Sequence, residues 1–421
     1  MLVATALVLS MTPALGFFYG GMVRAKNALN TMMMSFSALG FVGIAWALLG
    51  YSIAFAPGSG VIGGSGYTFL RHVGLEPQGT IPHVLFMAYQ GTFAVITAAL
   101  ISGAIVERMR FGPYLAFITL WSLLVYAPIA HWVWGGGWLA KLGALDFAGG
   151  TVVHVNAAAA AVVAAVVVGS RKDYARQAIL PQSVPFTLLG TGLLWLGWFG
   201  FNAGSALAAN GIAALAFVNT MLAPMGTLVA WTLLDLTRTG KATAIGAATG
   251  IVVGLVAITP AAGFVSPIGS MVLGGLAAFP SYYALLWRAR TRVDDSLDVT
   301  AAHGLGGTVG ALLTGVLASK AWNGTADGLV FGNPKQLLVQ AAAVAAAMAY
   351  SAVGTFALLK LVGALVPLRV AAREEGLGLD VSQHCEEAYA RDEGAILVLP
   401  DAPATPAPAS MPALEPEGGR A

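Results

Sequence analysis

The chain has 421 residues, of which 57% are apolar and 10% charged, and a formal net charge of +2. Soluble domains carry about 25% charged residues, so this composition excludes an ordinary water-soluble protein. It offers no basic surface for a nucleic acid, and its single cysteine, Cys385, excludes an intrachain disulfide and a cysteine-built metal cage.

Apolar runs of membrane-crossing length recur from the first residues onward. No basic stretch precedes the first run, so no cleavable leader is expected. The spans are predicted near 2–23, 28–55, 83–106, 112–130, 147–169, 184–206, 210–236, 242–261, 263–287, 299–319 and 335–367. This is an all-α polytopic membrane protein with eleven transmembrane helices. The last run is long enough to tilt or to project beyond the bilayer. Abundant Gly and Ala suit close helix packing in lipid.

Basic residues set the predicted orientation. Arg24 and Lys26 follow the first span, Arg108 and Arg110 the third, and Arg171, Lys172 and Arg176 the fifth. Arg238 and Lys241 follow the seventh, Arg288, Arg290 and Arg292 the ninth, and Arg369 and Arg373 the eleventh. The opposite loops hold only Arg71, Lys141, Lys320 and Lys335. The N-terminus is therefore expected outside and the C-terminus in the cytoplasm. The expected division is a membrane domain over 1–369, a cytoplasmic regulatory segment over 370–398, and a Pro/Ala-rich, disordered tail over 399–421.

The two halves echo each other. Gly16–Gly20 (GFFYG) resembles Gly197–Phe201 (GWFGF), and the fifth and tenth spans each carry an Asp followed by a His. Two inverted five-helix repeats plus one added helix are expected, with a solute site at the repeat interface.

Two histidines lie inside those spans: His154, downstream of Asp146, and His303, downstream of Asp298. An ionisable group at hydrocarbon depth costs at least ~2.5 kcal/mol, so such residues usually line a pathway. Interhelical packing explains one histidine as well as a pore does; two at matching places favour a lumen. A metal site is the rival reading, but no third intramembrane His or Cys is present to complete a ligand set. Asp146 can cap the fifth helix, or place a negative charge at the outer mouth; the two roles are compatible. Phe93, Trp134 and Phe201 sit in polar or Gly-rich settings. Their faces could hold a cation, although composition alone favours belt or packing roles for them. Asp294 and Asp295 read as a solvated charge cluster, and Glu107 with Arg108 as an inner-edge ion pair.

Several segments together carry a resemblance. They are Phe18–Asn27 (FYGGMVRAKN), Gln90–Thr97 (QGTFAVIT), Glu107–Phe111 (ERMRF), His131–Gly137 (HWVWGGG), Leu145–Asn156 (LDFAGGTVVHVN) and Gly197–Ser205 (GWFGFNAGS), with Asp294, Asp295, Asp298, His303 and Gly304. In this order the chain resembles the Amt/Mep/Rh ammonium transporter family over nearly all of residues 1–393. Trp134 points to the Amt branch, since Rh proteins generally lack it. The resemblance implies a homotrimer with one pore per subunit. It implies an outer ammonium recruitment site at Phe93, Trp134 and Ser205, with Asp146 buried beneath, a gate of Phe93 on Phe201, and pore histidines His154 and His303. It implies a tail motif over Gly378–Tyr389, with Cys385 where the family usually has Gly, and so possible regulation by a PII-type signal protein.

The expected function is ammonium transport across the cytoplasmic membrane. NH4+ would be selected outside, lose its proton, and pass as NH3 beside the two imidazoles, with or without coupled proton transfer. Methylammonium would serve as an analogue. An ammonium sensor acting through a cytoplasmic partner is the alternative, and an intramembrane metal enzyme a minor one. Neither a cofactor nor enzymatic activity is expected.

Overall fold

In lipid, backbone N–H and C=O groups must find partners within the protein, which leaves apolar runs the helix as their resting state. The computed structural model describes residues 1–389. The Pro/Ala-rich end expected from 399, and residues 390–398 before it, lie outside the described residues.

Among the described residues, ten helices are long and apolar enough to cross a bilayer: α1 Leu2–Met22, α2 Ala25–Phe55, α3 His83–Ala104, α4 Phe111–Leu142, α5 Gly150–Val168, α6 Val184–Gly204, α7 Gly211–Thr239, α9 Pro267–Arg288, α10 Thr300–Leu317 and α11 Pro334–Leu365. Between α7 and α9 lies a shorter apolar helix, α8 Ala244–Ile258. Its 15 residues span only about 22 Å. The chain after it, Thr259–Val265, is irregular but almost entirely buried, so its free backbone groups stay away from lipid. The 32 residues of α11 measure about 48 Å, more than the hydrocarbon thickness, as the sequence suggests. The fourth span runs past its expected end, through a break at Trp134–Gly137 and on to Leu142. Two-residue strands Pro77–Gln78 and Ile81–Pro82 form a hairpin outside the bundle.

The repeats meet where α1 packs on α6. A Cβ added to Gly190 would collide with the backbone of Phe18, and one on Gly200 with the backbone of Ala4. Small residues thus set this helix distance, as in other membrane bundles. The pseudo-symmetry extends to hydrogen bonds. Phe147 N donates to Pro260 O at 3.1 Å, and Leu297 N donates to Gly103 O at 3.0 Å. Asp146 and Asp295 each lie eight residues before a histidine and each accept backbone N–H groups at the start of a helix. The partner of Asp146 in the second repeat is therefore Asp295, not the expected Asp298.

Charged residues at the other end of the bundle are not solvated as expected. Asp294 and Asp295 are buried. Arg171 grips the Asp294 carboxylate with Nε and Nη2, both at 2.8 Å. Burial would raise the Asp294 carboxyl, but the Arg171 guanidinium holds it below the usual carboxylate range. The expected Glu107–Arg108 pair does not form. Glu107 pairs with Arg24 at 3.0 Å and Arg171 at 2.8 Å, while Arg108 donates to backbone carbonyls, including those of Ala104 and Gly169. A guanidinium offers five donors, and chain ends in a bundle leave carbonyls free to take them.

The tail folds back onto this face as α12 Ala372–Leu377 and α13 Leu379–His384. Asp380 accepts from Leu29 N and Asn30 N, and Glu375 accepts from Lys172 N.

Candidate functional site

Three helices place the aromatic residues expected to recruit the ion. Phe93 sits in the buried middle of α3. Trp134 stands at the break in α4, where Gly136 takes a φ of +80° that a side chain would resist. Phe201 and Ser205 lie in and just beyond the last turn of α6. The Phe93 ring stacks on Phe201 with centroids 4.2 Å apart and meets Trp134 edge-on at 5.9 Å. Phe93 and Phe201 are each 1% exposed, so the stack closes the space between their helices.

The polar hydrogens of Trp134, Ser205 and Tyr89 each have a backbone acceptor. The Trp134 indole N–H donates to Asp146 O at 2.9 Å. Ser205 Oγ donates to Phe201 O at 2.9 Å. The Tyr89 hydroxyl donates to Gly200 O and Phe201 O at 3.0 and 2.9 Å and lies 3.3 Å from Ser205 Oγ. What remains available is π-faces and oxygen lone pairs, a surface suited to a species that only donates.

Asp146 lies beneath Trp134. Gly149, at φ +117°, turns the chain so that four successive N–H groups converge on the carboxylate. Gly149 N and Gly150 N reach Oδ1 at 2.8 and 2.6 Å; Thr151 N and Val152 N reach Oδ2 at 2.8 and 3.0 Å. The carboxylate is thus a buried helix cap. It fixes the backbone under Trp134, which is the capping role read from sequence. Charge-assisted bonds to a helix N-terminus make this a strong cap.

Below the phenylalanine stack, His154 and His303 face each other. Their Nδ1 atoms are 3.1 Å apart and the rings lie 25° from coplanar, with centroids at 5.2 Å. Each histidine sits in a π-helical turn, Gly150–Val155 and Thr300–Leu305. Such turns insert a residue into the helix and are frequent at functional sites. Trp198 lies against the other face of His154 at 5.5 Å and 19°. His154 Nε2 is buried and unpaired among the described residues.

A narrow apolar cavity runs beside the imidazoles, lined by Leu15, Ile96, Leu194 and Phe201 together with both histidines. His303 also lines a wider cavity of about 290 Å³ on the side of the ionic network, with Asp235, Tyr282 and Asp298. The two histidines therefore line one cavity under Phe201, and His303 also lines the second. Among the described residues no cluster of three or more His, Cys, Asp or Glu is arranged to hold a metal ion.

The seven residues singled out from sequence are brought together by a chain of contacts, Asp146 to Trp134 to Phe93 to Phe201, with Ser205 on Phe201 and His154 and His303 next to it. Sequence reasoning missed Tyr89 and Trp198. Their spacing could have found them, because four residues before Phe93 and three before Phe201 lie on the same helix faces. Asp295 was visible but read as solvated.

The family described as "Ammonium Transporter Family" matches residues 1–389. An ammonium transporter of Bacillus subtilis is 48% identical over 396 residues, covering 92% of this chain and 97% of that one. Ammonium transporter Amt1 of Archaeoglobus fulgidus is 47% identical over 392 residues, covering 92% and 98%. Among solved structures, Saccharomyces cerevisiae Mep2 superposes with a TM-score of 0.83 at 37% identity, covering 88% of this chain and 86% of that one. A structure described as a sensor Amt protein gives 0.85 at 28% identity, covering 91% and 96%. A match along the described length, with relatives near half identity, leaves one assignment: this chain is a polytopic membrane protein belonging to the ammonium transporter family.

Proposed function

We propose that this protein transports ammonium across the cytoplasmic membrane. NH4+ carries four donors and no acceptor, and moving it bare through about 30 Å of hydrocarbon is prohibitive. The outer site would take it on the faces of Phe93 and Trp134 and the lone pair of Ser205, whose own proton is given to Phe201 O. Asp146 would act by fixing the backbone under Trp134. The ion would give up a proton to water there, neutral NH3 would pass the Phe93–Phe201 gate to the histidines, and the proton would cross separately, so that one positive charge moves with each ammonium taken up. The observation that carries this reading is the His154–His303 pair in a narrow apolar lumen directly below that gate.

The balance of basic residues supports an N-terminus outside and a C-terminus in the cytoplasm. We read the chain as one subunit of a homotrimer, each subunit with its own pore. The tail segment from 370 would form the cytoplasmic docking surface for a PII-type signal protein. The structural likeness to a protein described as a sensor Amt supports a second role in ammonium sensing through such a partner.

The test is purified protein in liposomes under voltage control. Ammonium should evoke current and uptake, methylammonium should compete, and potassium and water should not pass. Uptake no greater than in protein-free liposomes would overturn the proposal.

A further inference from the structure

Gln340 lies on α11, the helix outside both repeats, and is 1% exposed. Its amide grips the backbone of one residue from both sides. Oε1 accepts from Leu145 N at 2.7 Å, and Nε2 donates to Leu145 O at 2.6 Å and to Ala311 O, on α10, at 3.1 Å. Gln336, one turn earlier, donates to Gly143 O at 2.9 Å and to Gln340 Oε1 at 3.3 Å. Two buried amides thus hold the loop that ends at Asp146. The next links follow directly: the Asp146 carboxylate gathers the α5 N-terminus, and Asp146 O receives the Trp134 indole.

The matching loop of the second repeat is anchored differently. Arg108 Nη2 donates to Asp294 O, and Arg171 binds the Asp294 carboxylate. Both anchors offer multiple donors to a loop before a capping aspartate. One is cationic and the other neutral. At a mouth that must admit a cation, a buried guanidinium would repel the substrate. An amide fixes the same backbone without charge, and it also supplies the acceptor that a guanidinium lacks.

We propose that Gln340 is a positioning residue of the outer recruitment site, fixing Leu145 and Asp146 so that Trp134 is held at its angle to Phe93. This rests on the reading of Trp134 as part of that site. A clamp that acts through Trp134 affects capture of the ion and not its passage beyond the gate.

The experiment measures ammonium-evoked current in liposomes for wild type, Gln340→Met, Gln340→Glu, Trp134→Leu and the double variant Q340M/W134L. Met keeps the length and removes both hydrogen bonds to Leu145, together with those to Ala311 O and Gln336. Glu keeps the acceptor for Leu145 N and loses the donor to Leu145 O, so it carries the test if Q340M does not accumulate in the membrane. The apparent KM for ammonium should rise about tenfold in Q340M and by a smaller factor in Q340E, with maximal current within about twofold of wild type. In the W134L background the Gln340 change should add nothing, because residues acting through one contact are not additive. An unchanged KM, a fall confined to maximal current, or full additivity with W134L would overturn the proposal. Wild-type protein without saturable ammonium uptake would instead overturn the transport reading itself.

Discussion

The Nδ1 atoms of His154 and His303 lie 3.1 Å apart, so one must donate the proton that the other accepts. Two imidazolium rings at this distance would oppose donor to donor and charge to charge in a dry cavity. The pair therefore works as one unit with a single shared proton, and its two outer nitrogens differ in role.

Replacing either histidine by alanine should lower ammonium-evoked current by about tenfold or more, and replacing both should cost little beyond the first change. Current recordings on the two single variants and the double one check this. Two independent losses that multiply would show that the rings act separately.

Ser205→Ala removes the hydroxyl oxygen that faces the outer site. A hydrogen bond to a charged partner is worth about 1.5–3 kcal/mol, so the apparent KM should rise by roughly tenfold or more. Ser205→Thr keeps the oxygen and should stay close to wild type. Competition by ammonium against labelled methylammonium uptake measures both.

The two capping aspartates are unequal. Asp146 accepts four backbone N–H groups and Asp295 two. An asparagine would turn an amide N–H2 toward donors at either site. Asp146→Asn should therefore lose about 3 kcal/mol or more of stability, and Asp295→Asn roughly half of that. Thermal unfolding in detergent ranks them, and equal shifts would contradict the count of bonds.

Tail docking should carry two opposed proton linkages. Burial pushes the Asp380 carboxyl up to about 6, from an unfolded value of about 3.9. A raised carboxyl favours docking fully at low pH and loses that contribution as pH rises through about 6. Burial lowers His384 below its ordinary 6.5, so its contribution is present at higher pH and is lost as pH falls. With Asp380→Asn, docking should weaken from pH 7 to pH 5. With His384→Gln it should tighten over the same interval. Hydrogen exchange of residues 372–384 reads both directions, and matching slopes in the two variants would refute the assignment.

Cys385 ends α13 with φ +56° and ψ 28°, a left-handed conformation that costs a side chain about 1–2 kcal/mol. Cys385→Gly should relieve this and slow hydrogen exchange in α13. Faster exchange would mean that the thiol contributes more contact than the strain costs.

The tail also shows where sequence reading stopped. Residues 373–393 were legible as a charged segment, but nothing local said that Asp380 would cap a helix some 350 positions earlier in the chain. Glu107 and Arg108 misled for a related reason. Neighbours in sequence suggest a pair, yet Glu107 at φ +69° points its carboxylate to Arg24 and Arg171, and Arg108 turns away to carbonyls.

The sequence alone determined the membrane solvent, the succession of apolar helices and the identity of the rings and imidazoles. These follow from run length, charge bias and residue chemistry, which are properties of short segments. Only the tertiary structure decided that Asp295 answers Asp146, that Asp146 is a buried cap, and that Gln340 on the last helix holds the loop beside Trp134. The reason is physical. Those outcomes depend on which backbone donors and carbonyls are left unpaired after the helices pack, and packing brings together groups that no local pattern connects.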